Sequence, residues 1–545
     1  MDKNKAKKIT RSIIWGVFIV WNAVLLFVVG KKQDPATIQQ QKSQTEMVAK
    51  SSSASYENAP SEEKSSQVHV VSEFETSVAK YNFHDAKLSI TQLKNYKQNL
   101  NSNENFQAIT ANDSIEIKWI GNTILPDANT PWKKTTTENG IQFSWINSEN
   151  VTFVQKWKFD QHYGIKLFVE VINNSKKLIT VIPSLHMKKK EFEKQQSFIF
   201  SGVSLFAQNK FKNFKSSAIK PMQFSGSHNS WASFNEKYWL VAFNCENFST
   251  ISIEKDDHYK IASSAKELSI APQTQSNVNF NLFVGPKEVN ALKQFGDTNN
   301  LHNIENTIDY GWLFFLTKPV NYILKKLIEV FASIFWALII ITLLLKMITW
   351  PFTRSSHIAI KRIHQLNPAI SEIKHRLKDN PELMNKEIFA LYKKYKINPV
   401  SGCLPSVLQM IFLFPLYKVL SFSIYLRYAS FPGWIKDLSS ADPTSWLNLF
   451  GLLPFSAPEF LHIGAWPILM GISMFIQQKL STSTPATTTD QKMMQFGLPV
   501  LFTWMMCNLS TGVVIYWTMT NTLTIAQILW IEYSEDKKSK KLSKK

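Results

Sequence analysis

Read for its apolar and polar positions, the chain changes texture repeatedly. Residues 13–30 are an apolar run behind a basic start of Lys3, Lys5, Lys7, Lys8 and Arg11. Residues 31–72 are rich in Ser, Gln, Lys, Glu and Ala with almost no aromatics, too little apolar area to offset the entropy of ordering, and read as a disordered linker. From Glu73 to Pro286 apolar and polar residues alternate, as in 115–119, 151–159, 166–172, 238–243 and 278–284. Short alternating runs between Asn, Gly and Ser turns predict a large antiparallel sandwich. Between Leu301 and Glu329 helical spacing takes over. Val320, Ile323, Leu324, Leu327 and Ile328 share a face and Lys318, Lys325 and Lys326 decorate the rest, which suits a helix in the membrane interface or an extension of the next span.

Long apolar runs dominate the second half, at 331–350, 404–424, 463–478, 493–508 and 510–531. Most have the length of a bilayer core, although 493–508 is short. The run at 13–30 is long for a signal peptide, and Gly30-Lys31-Lys32 offers no small-x-small cleavage site, so it reads as an uncleaved anchor. Six spans result. Pro351 is expected to stop the first span of the core. Beyond it, Ile363, Leu366, Ile370, Ile373 and Leu377 are spaced three and four apart, as are Met384, Ile388, Leu391 and Tyr395 after the turn signal Asp379-Asn380-Pro381. These predict an antiparallel helical hairpin, with Pro368 kinking its first helix or delaying its start.

Charge sets the orientation. The chain carries a formal net charge of +20, and residues 354–396 hold ten Lys or Arg against four acidic residues. The N-terminus and the tail, with six lysines in 537–545, fall on the same face by parity. The opposite loop, 427–446, has only Arg427 and Lys436. By the positive-inside rule the termini and hairpin are cytoplasmic and the sandwich is outside. Cys245, Cys403 and Cys507 are too dispersed for a disulfide framework or a metal site.

Polar residues inside the spans are the candidate chemistry. Lys346 interrupts the first core span, Thr342 lies one turn earlier, and Gln409 enters from the next span at comparable depth. The last span carries Thr518, Thr520, Asn521, Thr522, Thr524 and Gln527. Intramembrane polar groups on several helices make sense if they line one hydrated groove. Lys346 also stands close enough to its helix end to snorkel to the head groups. The spans hold no nucleophile–base set, phosphate loop, metal-ligand cluster or carboxylate pair, and His162, His186 and His258 in the sandwich have no partner at acid–base spacing. No catalytic residue, metal or cofactor is expected. A small-solute transporter or channel is the rival reading; it would need repeated halves or a path open to both sides, and neither is legible. A membrane-anchored glycan enzyme would need carboxylates that the sandwich does not pair.

Several motifs resemble the YidC family of membrane protein insertases: Asp309-Tyr-Gly-Trp-Leu313, Pro351-Phe-Thr353, Asn398-Pro-Val-Ser-Gly-Cys-Leu-Pro405, Trp434-Ile-Lys-Asp-Leu438 with Asp442-Pro443, and Gly512-Val-Val-Ile-Tyr-Trp517 followed by Asn521. The resemblance implies a polytopic α-helical membrane protein with six spans, five of them the insertase core, plus a periplasmic all-β supersandwich of mutarotase-like shape. It implies residence in a bacterial inner membrane, a groove that receives nascent hydrophobic segments and releases them into lipid, and partners in the ribosome, the Sec translocon and membrane lipids. Tyr516 and Trp517, from the matching motif, become candidates for touching the client beside Lys346, Thr342, Gln409 and Asn521. The family usually has arginine where this chain has Lys346, which keeps the charge and loses the planar fork, and proline where it has Ser510. The expected organisation is an N-terminal end and anchor at 1–30, a linker at 31–72, the sandwich at 73–300 and an interfacial helix at 301–330. The membrane core follows at 331–531 with its hairpin at 354–399, then a basic tail at 532–545.

Overall fold

The computed structural model describes residues 71–192, 199–225, 229–246, 248–395, 404–453, 455, 458, 462–481 and 493–542. The expected anchor, nearly all of the linker, Cys403 with most of the motif at 398–405, and the last tail lysines lie outside them. Contacts divide the chain into two units, one comprising 67–321 with 412–427, the other 322–411 with 428–545 among its described parts.

Alternation in the first unit does what its period requires: successive side chains of a strand point to opposite faces. In Ser114–Gly121 the side chains of Ile115 and Ile117 are buried, while Glu116 and Lys118 take the other face. The paired strand Ile179–Lys189 repeats the pattern with Leu185 and Met187 inside and His186 and Lys188 outside. Antiparallel pairing builds two sheets of ten and nine strands. The ten-stranded sheet runs Val71–Glu75, Ala79–His84, Lys87–Lys97, Ser114–Gly121, Ile179–Lys189, Tyr259–Ala265, Phe248–Lys255, Met222–Ser225, with two short strands off that path. The nine-stranded sheet runs Lys210–Lys215, Gly202–Ala207, Trp231–Asn235, Trp239–Cys245, Thr274–Pro286, Gly164–Asn173, Val151–Phe159, Gly140–Ile146, Lys133–Thr137. Aromatic rings from the two sheets meet between them: Phe83 lies 5.1 Å from Trp157 and 5.5 Å from Phe143. Burying rings of that size dominates the energetics of such a core. The alternating runs read from the sequence fall on strands, Tyr238 excepted, and Cys245 is fully buried in the core. The sandwich closes with helix α1 (Val289–Thr298), whose Phe295 packs on Phe283 at 5.4 Å.

Helix α2 (Phe314–Phe331) follows, with Val320 and Leu324 buried and Trp312, Phe315 and Tyr322 exposed around it. In the second unit, α3 (Ile334–Gln365) is long and apolar enough to cross a membrane over Ile334–Ile363; among the described helices no other meets both criteria. Here the structure corrects an expectation. Pro351 does not stop the helix; α3 runs through it for fourteen further residues, to Gln365. A proline inside a helix forfeits one backbone bond, here the one to the Met347 carbonyl, whereas ending the helix there would orphan several; hydroxyls on either side of Pro351 fold back onto their own helix. Thr349 Oγ1 bonds the Leu345 carbonyl at 3.1 Å and Thr353 Oγ1 bonds the Thr349 carbonyl at 3.1 Å.

The hairpin is α4 (Asn367–Arg376) and α5 (Pro381–Lys394), which pack on each other. Pro368 sits in the first turn of α4, so the seam is broken at Leu366 before it resumes. Asn380 caps α5 by accepting from the Leu383 N–H at 3.2 Å, and Arg376 pairs with Glu387 across the hairpin. Helices α6 (Leu404–Phe422), α7 (Ala465–Ser481), α8 (Leu498–Met506, entered through one π turn at Met493–Gly497) and α9 (Thr511–Leu542) complete the set. Helix α9 continues past 532 into the basic residues as far as Leu542, and Glu535 lies 3.6 Å from Arg354.

Candidate functional site in the helical unit

The loop between α6 and α7 holds two helix starts in place. Asp442, buried, accepts from Trp434 Nε1 at 3.0 Å, from Thr444 N at 3.0 Å and Oγ1 at 2.7 Å, and from Trp466 N at 2.9 Å. Thr444 Oγ1 accepts from Ala465 N at 3.0 Å. Two otherwise orphaned N–H groups of α7 are thereby capped, one by a carboxylate suited to a helix N-terminus. Gly464 makes this approach possible, since a Cβ there would lie 2.5 Å from that of Asp442. The same loop serves α9: Thr511 N donates to the Ser440 carbonyl at 2.7 Å and Gly512 N to the Leu438 carbonyl at 2.9 Å. The motif residues 434–442 and 511–512 are thus one fastening.

Helix α9, positioned in this way, is buried all round in its first turns and along one side further on. Val513 to Met519 are all buried, with Thr520, Asn521, Thr524, Ile525 and Ile528. Helices α3 and α7 pack against it. The polar stripe therefore faces helices, and it is hydrogen-bonded. Lys346 of α3 reaches across to donate to Thr524 Oγ1 at 2.6 Å. Gln409 Nε2 of α6 donates to Asn521 Oδ1 at 3.3 Å, and Asn521 Nδ2 donates to Ser473 Oγ of α7 at 3.0 Å. The threonines close their own hydroxyls onto the preceding turn: Thr524 to the Thr520 carbonyl at 2.7 Å, Thr518 to Val514 at 2.8 Å, Thr342 to Leu338 at 2.6 Å. Gln477 Oε1 and Gln527 Oε1 are buried without a protein partner among the described residues, where a buried polar atom ordinarily has one.

Of the residues singled out in the sequence, Lys346 bonds to Thr524, and Gln409 and Asn521 bond to each other. Thr342 is buried one turn from Lys346 with its hydroxyl satisfied inside α3. Tyr516 and Trp517 are buried in the bundle one turn before the polar groups, and Trp517 packs its ring on Phe502 at 5.3 Å. Packing accounts for both. Of the two partners that the site residues take, Thr524 belongs to the polar stripe read on the last span, whereas Ser473 was not singled out and is legible only as a lone hydroxyl on the apolar face of α7. Lys346 finds its partner within the bundle, not along a stem directed at head groups. Among the described residues no cluster of His, Cys, Asp or Glu fit to hold a metal ion is present.

Polar contacts that tie α3, α6 and α7 to α9, in a chain that also carries a β-sandwich domain, fit the class that the comparisons define: a membrane protein insertase with a β-sandwich domain and a helical C-terminal region. Residues 326–539 match the family model described as 60Kd inner membrane protein, and residues 72–323 match that of the YidC periplasmic domain. The membrane protein insertase YidC of Rickettsia bellii is 33% identical over 464 residues, covering 81% of this chain and 83% of the relative. That of Rickettsia akari is 32% identical, covering 81% and 82%. A crystal structure of an active YidC insertase with its first transmembrane domain resolved aligns with 85% of this chain and 92% of its own, at a TM-score of 0.37 and 14% identity. The chain belongs to the YidC family of membrane protein insertases, and nascent membrane proteins are its general kind of partner.

Proposed function

We propose that Lys346, Gln409 and Asn521, with Thr524, Ser473 and Thr342, line the groove that receives a client segment, and that Tyr516 and Trp517 form its packed wall. The observation that carries this is that α3, α6 and α7 each hydrogen-bond to α9 through polar side chains, one of them an ammonium, with unpaired polar atoms on the same helices. In low dielectric such groups offer a client's polar flank the partners it would otherwise lose with its water, lowering the cost of entry. The protein acts without chemical turnover and binds no cofactor. It spans a bacterial inner membrane six times, anchor included, with both termini and the α4–α5 hairpin in the cytoplasm and the sandwich in the periplasm. The charge asymmetry of 354–396 against 427–446 supports that orientation. The expected domain limits, from anchor to basic tail, follow the same topology, with α2 lying in the interface. The hairpin and the lysines of the tail meet the ribosome and anionic lipid head groups, and the groove works alone or beside the Sec translocon.

The test is site-specific photo-crosslinking to a ribosome-bound nascent single-span protein. Probes at 346, 409 and 521 should capture the client, while a probe at the outward Trp530, 56% exposed, should capture lipid. Client adducts at 530 and none at the other three would refute the assignment.

A further inference from the structure

The segment after α6 carries an arginine that the insertase mechanism leaves unused. Residues 412–427 pack with the sandwich in one unit. A short 3-10 turn, Ile424–Leu426, buries Ile424 and Leu426 and ends at Arg427, whose N–H closes on the Ile424 carbonyl at 3.1 Å. The Arg427 guanidinium lies 5.0 Å from the ring centroids of both Phe106 and Trp239, and its Nη2 donates to the Gln98 carbonyl at 3.2 Å. Those rings are stacked on one another at 3.9 Å, and Tyr96 meets Trp239 edge-on at 5.2 Å while bonding Glu288. Phe106, Trp239, Tyr96 and Gln98 come from strands or turns of both sheets, so the socket exists only in the folded sandwich. A second hold stands in the C-terminal half of α6 itself. Lys418, its side chain 14% exposed, pairs with Asp309 at 2.6 Å, and the turn Asp309–Gly311 is closed by Gly311 N on Asp309 Oδ1 at 3.0 Å. At Gly311 φ is +71°, and a Cβ there would press on the Lys418 stem at 3.3 Å.

We propose that Arg427 is a latch, and that presenting the Phe106–Trp239 socket to the segment that follows α6 is a function of the sandwich itself. A guanidinium suits this role where an ammonium does not: it is planar and weakly hydrated, so it lies against aromatic faces and still donates edgewise to a carbonyl. The latch also accounts for a basic residue in a loop where such residues are scarce. Asp309–Lys418 holds the C-terminal half of α6 and Arg427 the residues just beyond it. This inference does not rest on the groove assignment.

Hydrogen exchange of the full-length protein in lipid nanodiscs, read by mass spectrometry, tests it. In Arg427→Gln the amides of 423–428 and of 98–107 should exchange about tenfold faster, the worth of a partly desolvated cation–aromatic contact, while strands 151–159 and 164–173 are unchanged. Arg427→Lys should fall between the two. Phe106→Leu leaves the arginine in place and removes one ring; it should loosen 423–428 in the same way, which keeps the test open if Arg427→Gln does not fold. Unchanged exchange at 423–428 in Arg427→Gln, or in Phe106→Leu, would overturn the latch. Equal acceleration across every sandwich strand would also overturn it, since Arg427 would then be a general stabiliser.

Discussion

Lys346→Ala separates a working charge from a tolerated one. In the structure the ammonium donates to Thr524 Oγ1 at 2.6 Å. Deleting it removes an intramembrane charge that costs about 2.5–3.5 kcal/mol to insert. It also removes one charge-assisted hydrogen bond, a contribution of about 1.5–3 kcal/mol. The two nearly cancel. Thr524 keeps its own donor satisfied through the Thr520 carbonyl at 2.7 Å, so no orphaned donor is created. The variant should therefore fold and accumulate normally. Function should still fall. A client carboxylate about 8 Å from the ammonium, at an effective dielectric of about 20, gains about 2 kcal/mol, or about thirtyfold in occupancy of the groove. Lys346→Arg keeps the charge and should complement; Lys346→Ala and Lys346→Glu should slow insertion of clients with acidic leading segments, the second more. The assay is complementation of a depleted strain with the variant quantified in the membrane, alongside a protease-protection assay of one acidic-flanked client. Normal growth and normal insertion of that client by Lys346→Ala, at wild-type abundance, would refute the role of the charge.

Asn521→Leu removes the acceptor for Gln409 and the donor to Ser473 together; insertion should fall several-fold while abundance drops only slightly, because two modest hydrogen bonds of about 1 kcal/mol each are lost, and pulse-chase insertion with immunoblotting checks both. Asp442→Ala strips the start of α7 and the Trp434 indole of their acceptor, so destabilisation of about 2–4 kcal/mol is expected, read as faster proteolysis of the 428–464 loop, whereas Asp442→Asn should recover part of it. His186, half-buried and ringed by Lys118, Lys188 and Lys260, has its pKa lowered to about 4, chiefly by burial and then by Lys118. The unfolded chain then takes up the proton first as pH falls below about 6.5, so the sandwich loses stability between about pH 6.5 and 4, by at most about 3 kcal/mol before solvent screening reduces it; labelling of the buried Cys245 thiol should accelerate over that window and flatten in His186→Gln. Deleting 537–545 should weaken co-sedimentation with translating ribosomes most at low salt, since lysine–phosphate contacts are lost steeply as ionic strength rises; identical binding at every salt concentration would discard the tail's part.

Local periodicity made the β domain legible from the sequence. A strand's two-residue repeat and a helix's 3.6-residue repeat are properties of the backbone, so the strand at 151–159 and the seam at Ile363–Ile370 could be read without knowing what they face. The same reasoning placed Lys346, Gln409 and Asn521 on three helices at polar positions inside apolar runs. It could not pair them. Lys346 meets Thr524 across 178 residues and Gln409 meets Asn521 across 112, and such contacts depend on how α3, α6 and α9 are rotated against each other. Rotation is set by packing of the whole bundle, which turned Tyr516 and Trp517 inward. Pro351 misled for a related reason: proline's local cost argues for a helix end, but in an apolar surrounding breaking the helix would orphan more backbone groups than keeping it. Arg427 marks the limit most plainly. In the sequence it is one positive charge in a sparsely charged loop; only the stacking of two strands from different sheets turns Phe106 and Trp239 into the faces it lies against.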